Sequence, residues 1–167
     1  MKKLLSIFMI TTLLFTLCGC QKTLKGTDAL IEKAWEEATI TKVDGTGISY
    51  AGLCSKDDNA LVWFIFEIED QPNYYLPMEC KVVGKDEYIY NRIFNAMDIG
   101  EDIAYLPWKE ESVFIVNNPN CKAMRITDNK VGTHEISLEK DVYPFIYITE
   151  LFPDEYEFLD ENGNVIY

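Results

Sequence analysis

The chain reads as a mainly β protein, an antiparallel β-sandwich or barrel-like domain preceded by one amphipathic N-terminal helix. Three observations predict this. From residue 48 onward, short runs rich in β-branched and aromatic residues alternate with clusters of Asp, Asn, Gly, Lys and Pro. One run, Leu61-Val62-Trp63-Phe64-Ile65-Phe66, is apolar on both parities, as in a central strand covered on both faces. Only residues 28–39 set their apolar side chains at helical spacing. Many short strands in this arrangement favour a sandwich or barrel over a parallel α/β fold.

The first segment in order is residues 1–20. Met1-Lys2-Lys3 precedes an apolar run from Leu4 to Leu17, which ends in Cys18-Gly19-Cys20. A cationic start, a hydrophobic stretch and a small residue before the cut make a secretory signal. The ending Leu17-Cys18-Gly19-Cys20 resembles the lipobox of bacterial lipoproteins, with Cys18 standing where Ala, Ser or Thr is commoner. The resemblance implies that a diacylglyceryl group joins the Cys20 sulfur, that cleavage follows Gly19, and that Cys20 becomes the new N-terminus. As an uncleaved span the run falls short of the roughly 20 apolar residues a bilayer needs. Acyl chains contribute about 0.8 kcal/mol per buried CH₂, so two of them hold a protein stably. The chain then divides into a signal peptide, residues 1–19, a lipidated N-terminus and short polar tether, residues 20–27, and one globular domain, residues 28–167. The expected location is the extracytoplasmic face of a bacterial membrane.

Thr27 is the expected N-cap of the helix over 28–39, and Leu30, Ile31, Ala34, Trp35 and Ala38 form its apolar stripe. Strands are expected at Ile48–Leu53, Ala60–Glu69, Tyr74–Val83, Tyr88–Phe94, Ser112–Val116, Ala123–Thr127, His134–Leu138 and Val142–Ile148. Arg125 sits between Met124 and Ile126, as on a half-buried strand. Asn95–Trp108 fits neither pattern and reads as an irregular connection. Tyr156, Phe158, Asn162-Gly163, Val165 and Tyr167 read as a terminal hairpin.

Composition narrows the partners. The whole chain carries 15 basic and 28 acidic residues, a formal net charge of −13. Such an excess of carboxylates repels phosphate backbones, so nucleic acid is not an expected partner. No polybasic cluster follows Cys20, leaving the lipid to hold the membrane without electrostatic help. Beyond Cys20 the thiols are Cys54, Cys80 and Cys121. Cys80 alternates with Glu79 and Lys81 and reads as a buried thiol, whereas Cys54 and Cys121 lie beside turns and are the candidates for a disulfide. No CxxC spacing is present, and neither a metal nor another cofactor is expected.

Catalytic signatures are sparse. His134, the single histidine, stands at a turn edge. HExxH and GxSxG are absent. Asp160-Glu161-Asn162-Gly163-Asn164 starts like a calcium loop but has Val165 where the sixth position needs Gly, so an Asn-Gly turn accounts for it. The aromatic residues carry more information. In Val142–Ile148, Tyr143, Phe145 and Tyr147 share one parity, opposite the aliphatic Val142, Ile146 and Ile148. Facing out, the three would be a candidate binding surface; facing in, they would be core. The sequence thus predicts a membrane-anchored, non-catalytic binding or accessory domain that engages a protein or envelope ligand. An inhibitor or protective protein acting on an extracellular enzyme, and an envelope hydrolase using a carboxylate pair, are the alternatives.

Overall fold

The computed structural model describes residues 22–38, 45–68, 74–98, 103–138 and 143–166; the lipobox and Cys20 lie outside the described residues. In chain order the elements are β1 (Thr23–Lys25), α1 (Gly26–Glu37), β2 (Gly45–Lys56), β3 (Asn59–Ile68), β4 (Tyr74–Gly84), β5 (Glu87–Ile93), β6 (Met97–Asp98), β7 (Ile103–Trp108), β8 (Glu111–Val116), β9 (Ala123–Asp128), β10 (Gly132–Ser137), β11 (Phe145–Thr149) and β12 (Glu155–Leu159). The fold is mainly β with antiparallel sheets and one helix, as the alternating runs and turn clusters predict.

Three departures from the sequence reading are local. Residues 23–25, expected in the tether, form β1, which pairs with β5 from Thr23↔Ile89 to Lys25↔Glu87. Leu24 there is buried, and one apolar side chain facing a core outweighs the polar character of its neighbours. The helix starts at Gly26, not after a Thr27 cap, because the Gly26 N–H donates to the Asp86 carbonyl at 2.9 Å across the β4–β5 turn. Finally, Asn95–Trp108 is not an irregular connection. It contains β6, which pairs with β4, and β7, which pairs with β8.

Tight turns set the registers. β2–β3, β4–β5 and β7–β8 are hairpins closed at Asp57-Asp58, Lys85-Asp86 and Lys109-Glu110. Lys109 and Glu110 both have positive φ, 48° and 63°, the backbone a primed hairpin turn requires. Neither is a residue that favours this region, so surrounding contacts must hold the turn.

The strands form a six-stranded sheet, order β1-β5-β4-β3-β2 with β6 on β4, and two three-stranded sheets, β11-β8-β7 and β10-β9-β12. Three apolar layers bind them. Helix α1 covers one face of the large sheet, where Leu30 and Ala34 meet Ala60, Val62, Phe64, Leu76, Met78 and Cys80. Trp35, expected in that buried stripe, lies at its margin, 39% exposed, leaning on the Phe66 ring. The other face of β3 presents Leu61, Trp63 and Ile65 to the β11-β8-β7 sheet through Trp108, Val113 and Ile115. That sheet is itself covered on its far side, where Phe114 and Val116 meet Met124, Ile126 and Phe158 of the outer sheet.

β8 is therefore buried along its whole length, covered on both faces as β3 is. β2 joins the two inner sheets. A register shift between Tyr50 and Gly52 bends it toward β11, and Gly52, at φ 147°, lies so close that an added Cβ would stand 3.0 Å from Ile146 Cδ1. The large sheet curls there into a partial barrel.

Two ion pairs of opposite polarity clamp the strained β7–β8 turn to the large sheet. Lys109 Nζ lies 3.1 Å from Glu79 on β4, and Glu111 lies 2.6 Å from Lys56 Nζ on β2. Glu79 is 2% exposed and also accepts from Arg92 Nε at 2.7 Å. Burial pushes its carboxyl up, but the hydrogen bonds from Arg92 and Lys109 outweigh this and hold it below the ordinary glutamate value.

Candidate binding surface

The aromatic stripe is half-buried. Tyr143, Phe145 and Tyr147 pack against the layer built on Phe114, Met124, Ile126 and Phe158, while Ile146 and Ile148 pack into the layer of Trp63 and Val113. Tyr143 and Phe145 meet edge to face at 5.5 Å, and the Tyr143 hydroxyl donates to the Cys121 carbonyl at 3.3 Å. β11 has sheets on both sides, so both of its parities face cores. β11 begins at Phe145, after a cis Tyr143–Pro144 bond; Val142 lies outside the described residues.

The other singled-out residues also have structural partners. Cys54, Cys80 and Cys121 are all free thiols, so Cys54 and Cys121, the candidates for pairing, are not bridged. Burial pushes the Cys54 and Cys80 thiols up to about 12 and that of Cys121 to about 11. Cys121, expected near the surface, is fully buried, because its loop folds under the outer sheet into the Phe158 layer. His134 is exposed, its Nε2 3.1 Å from the Val131 carbonyl. The Asp160 carboxylate accepts from the Asn162 and Asn164 backbone N–H groups and from Asn164 Nδ2, an Asx-type turn. Among the described residues, no three His, Cys, Asp or Glu side chains are grouped to hold a metal ion.

The outer sheet carries the features that remain. Its solvent face has a row of directly opposed charges, Glu135 on β10, Arg125 on β9 and Glu157 on β12. Arg125 donates to Glu157 at 2.7 Å and to Glu135 at 3.2 Å, so the one cation in the row is engaged on both sides. On the opposite face Met124 and Ile126 are buried, which is the alternation expected around Arg125.

At one end of this sheet the β9–β10 turn and the β11–β12 connection enclose an open cleft of about 620 Å³. Leu151, Val131 and Phe152 supply its apolar part, and Asp128, Glu150, Asp154 and Lys130 its charged rim. Val131 is 55% and Phe152 44% exposed. Both loops are held in place. Asp128 Oδ1 accepts from the Lys130 N–H at 2.6 Å and the Val131 N–H at 3.3 Å. Asp154 Oδ2 accepts from the Asn129 N–H at 2.7 Å, while the Asp154 N–H donates to the Thr127 carbonyl. These backbone donors, Lys130 foremost and Val131 and Phe152 with it, keep the Asp128 carboxyl below its ordinary value despite the opposing effect of burial.

Two large apolar side chains thus stand in solvent on loops that carboxylate-to-backbone hydrogen bonds have already ordered. Ordering in advance lowers the entropic cost of binding. Sequence reasoning passed over both residues because they sit in turn-forming surroundings, next to Gly132 and Pro153. The available signal was an apolar residue inside a turn cluster.

No protein-family model, curated protein or solved structure matches this chain.

Proposed function

We propose that the protein is a membrane-anchored extracytoplasmic lipoprotein whose β domain binds a partner without catalysing a reaction. The observation that carries the binding part is the pre-ordered pair Val131 and Phe152 beside an acid-rimmed cleft. The lipobox resemblance of residues 17–20 carries the anchor. An apolar centre with a charged rim is the ordinary anatomy of a recognition site, and the carboxylates around it favour a partner that brings Lys or Arg beside an apolar side chain.

Affinity capture from native membranes tests the binding reading with native protein and a Val131→Ser, Phe152→Ser double variant. The expected result is a partner retained by the native protein and lost by the variant at unchanged melting temperature. Identical capture by both removes this cleft from the reading. Metabolic labelling with a clickable fatty acid tests the anchor separately: Cys20→Ser should carry no label, and equal label on both chains would refute lipidation.

A further inference from the structure

We propose that the end of the large sheet carrying Trp35 and the cleft beside Ala38 lies against the bilayer, at its headgroup–acyl boundary. This orientation rests on the lipid anchor at Cys20 and goes beyond it.

Chain length is the first argument. Cys20 precedes Thr23 by three residues, which span at most about 11 Å when extended. Thr23 is already part of β1, paired with Ile89 of β5, and the next residue, Leu24, is buried in the helix–sheet core. An anchor at Cys20 therefore lies within about 11 Å of this edge of the sheet, and the membrane with it.

Direction is the second. β1 runs antiparallel to β5, so the chain enters the sheet from the side toward which β5 runs out to Ile93. From Ile89 to Ile93 a strand advances about 13 Å, close to the reach of the three linking residues. Helix α1 runs the same way. Its first residue bonds to the β4–β5 turn, and Ala38, just past its end, sits with Ile93 and Phe94.

The composition of that end is the third. A cleft of about 220 Å³ is lined there by the apolar Ala38, Phe66, Leu76, Ile93, Phe94 and Ala96, with Asn95 as its one polar side chain. Beside it Trp35 is 39% exposed, its ring 5.8 Å from that of Phe66. Arg92 lays its guanidinium over the Phe94 ring at 4.5 Å, with its side chain 59% exposed. An exposed Trp beside apolar surface suits a membrane–water interface. The net charge of −13 makes a zwitterionic surface the suitable one, since anionic lipids would repel the chain. The Val131–Phe152 cleft belongs to the outer sheet, with the β11-β8-β7 sheet between it and this end.

The tryptophans make the test direct. Trp63 and Trp108 are buried between sheets at 0% and 3% exposure, leaving Trp35 as the indole that lipid can reach. The lipidated mature protein is reconstituted into phosphatidylcholine vesicles whose acyl chains are brominated near the headgroup. It should float with the vesicles and lose the Trp35 share of its emission, while a Trp35→Phe variant floats equally and is not quenched. Flotation with unquenched Trp35, or equal quenching of the variant, overturns the orientation and leaves the anchor standing. Failure to float overturns the anchor and the orientation together.

Discussion

Trp63 illustrates how one side chain can hold a layer and carry a cost at once. It is fully buried against Tyr75, Trp108, Val113 and Ile115, yet its indole N–H has no acceptor among the described residues. Trp63→Ala should lower stability by about 3–5 kcal/mol, read as a sharp fall in melting temperature. Trp63→Phe should cost clearly less, because it keeps an aromatic body and removes a buried donor whose desolvation costs about 1–3 kcal/mol. Equal losses for the two variants would show that the aromatic body Phe retains does not govern the site. Glu79 supplies the opposite case, a buried charge with two partners. Its pKa is lowered in the folded chain, so its contribution is complete above the unfolded glutamate value of about 4.5. That contribution is lost as pH falls through the folded value. As pH falls below about 4.5 the melting temperature of the native protein should fall more steeply than that of Glu79→Gln. Parallel curves would mean that Arg92 and Lys109 do not stabilise the carboxylate.

Among the elements, β8 and β11 decide how the sheets stack. β8 alternates Val113 and Ile115 toward the large sheet with Phe114 and Val116 toward the outer one. β11 repeats the pattern with Ile146 and Ile148 against Phe145 and Tyr147. Replacing Tyr143, Phe145 and Tyr147 together by Ser should thus loosen the attachment of the outer sheet, with a loss of at least about 3 kcal/mol, comparable to one buried aromatic. A thermal denaturation curve coinciding with that of the native protein would place the three side chains in solvent after all. The strained Lys109-Glu110 turn belongs to this scale too, since its two flanking ion pairs tie the β7–β8 hairpin to β4 and β2.

Viewed whole, the molecule is a stack in which burial falls off outward from β3 and β8. β3 and β8 have sheet or helix on both faces, whereas β10 is an edge strand with almost every residue exposed. Local opening costs least where few apolar contacts break. Amide exchange followed by mass spectrometry should therefore be slowest in peptides from Leu61–Phe66 and Val113–Val116, and fastest in Gly132–Ser137. Exchange in β10 as slow as in β8 would contradict the layered order. The same gradient places the pinned loops of Val131 and Phe152 at the outer sheet, where a partner can approach without disturbing the inner layers.

Much of this organisation was legible along the chain. The β class, the β2–β3 and β4–β5 turns, the doubly covered run Leu61–Phe66 and the half-buried setting of Arg125 all follow from local periodicity and turn chemistry, which act within a few residues. β1, β7 and the inward direction of Tyr143, Phe145 and Tyr147 did not, and for a common reason. A three-residue strand has too little pattern to identify itself, and a strand apolar on both parities does not reveal which neighbours it meets. Only long-range pairing resolves such segments: Thr23 with Ile89, Ile103 with Val116, Tyr147 with Phe114. The exposed pair at the candidate cleft was hidden likewise. Val131 and Phe152 lie in different loops, and it is the stacking of β9 between β10 and β12 that brings those loops together. The sequence by itself determined which residues prefer strands and turns, because those preferences are local; which apolar faces were covered and which stayed in solvent depended on the order in which the sheets stacked.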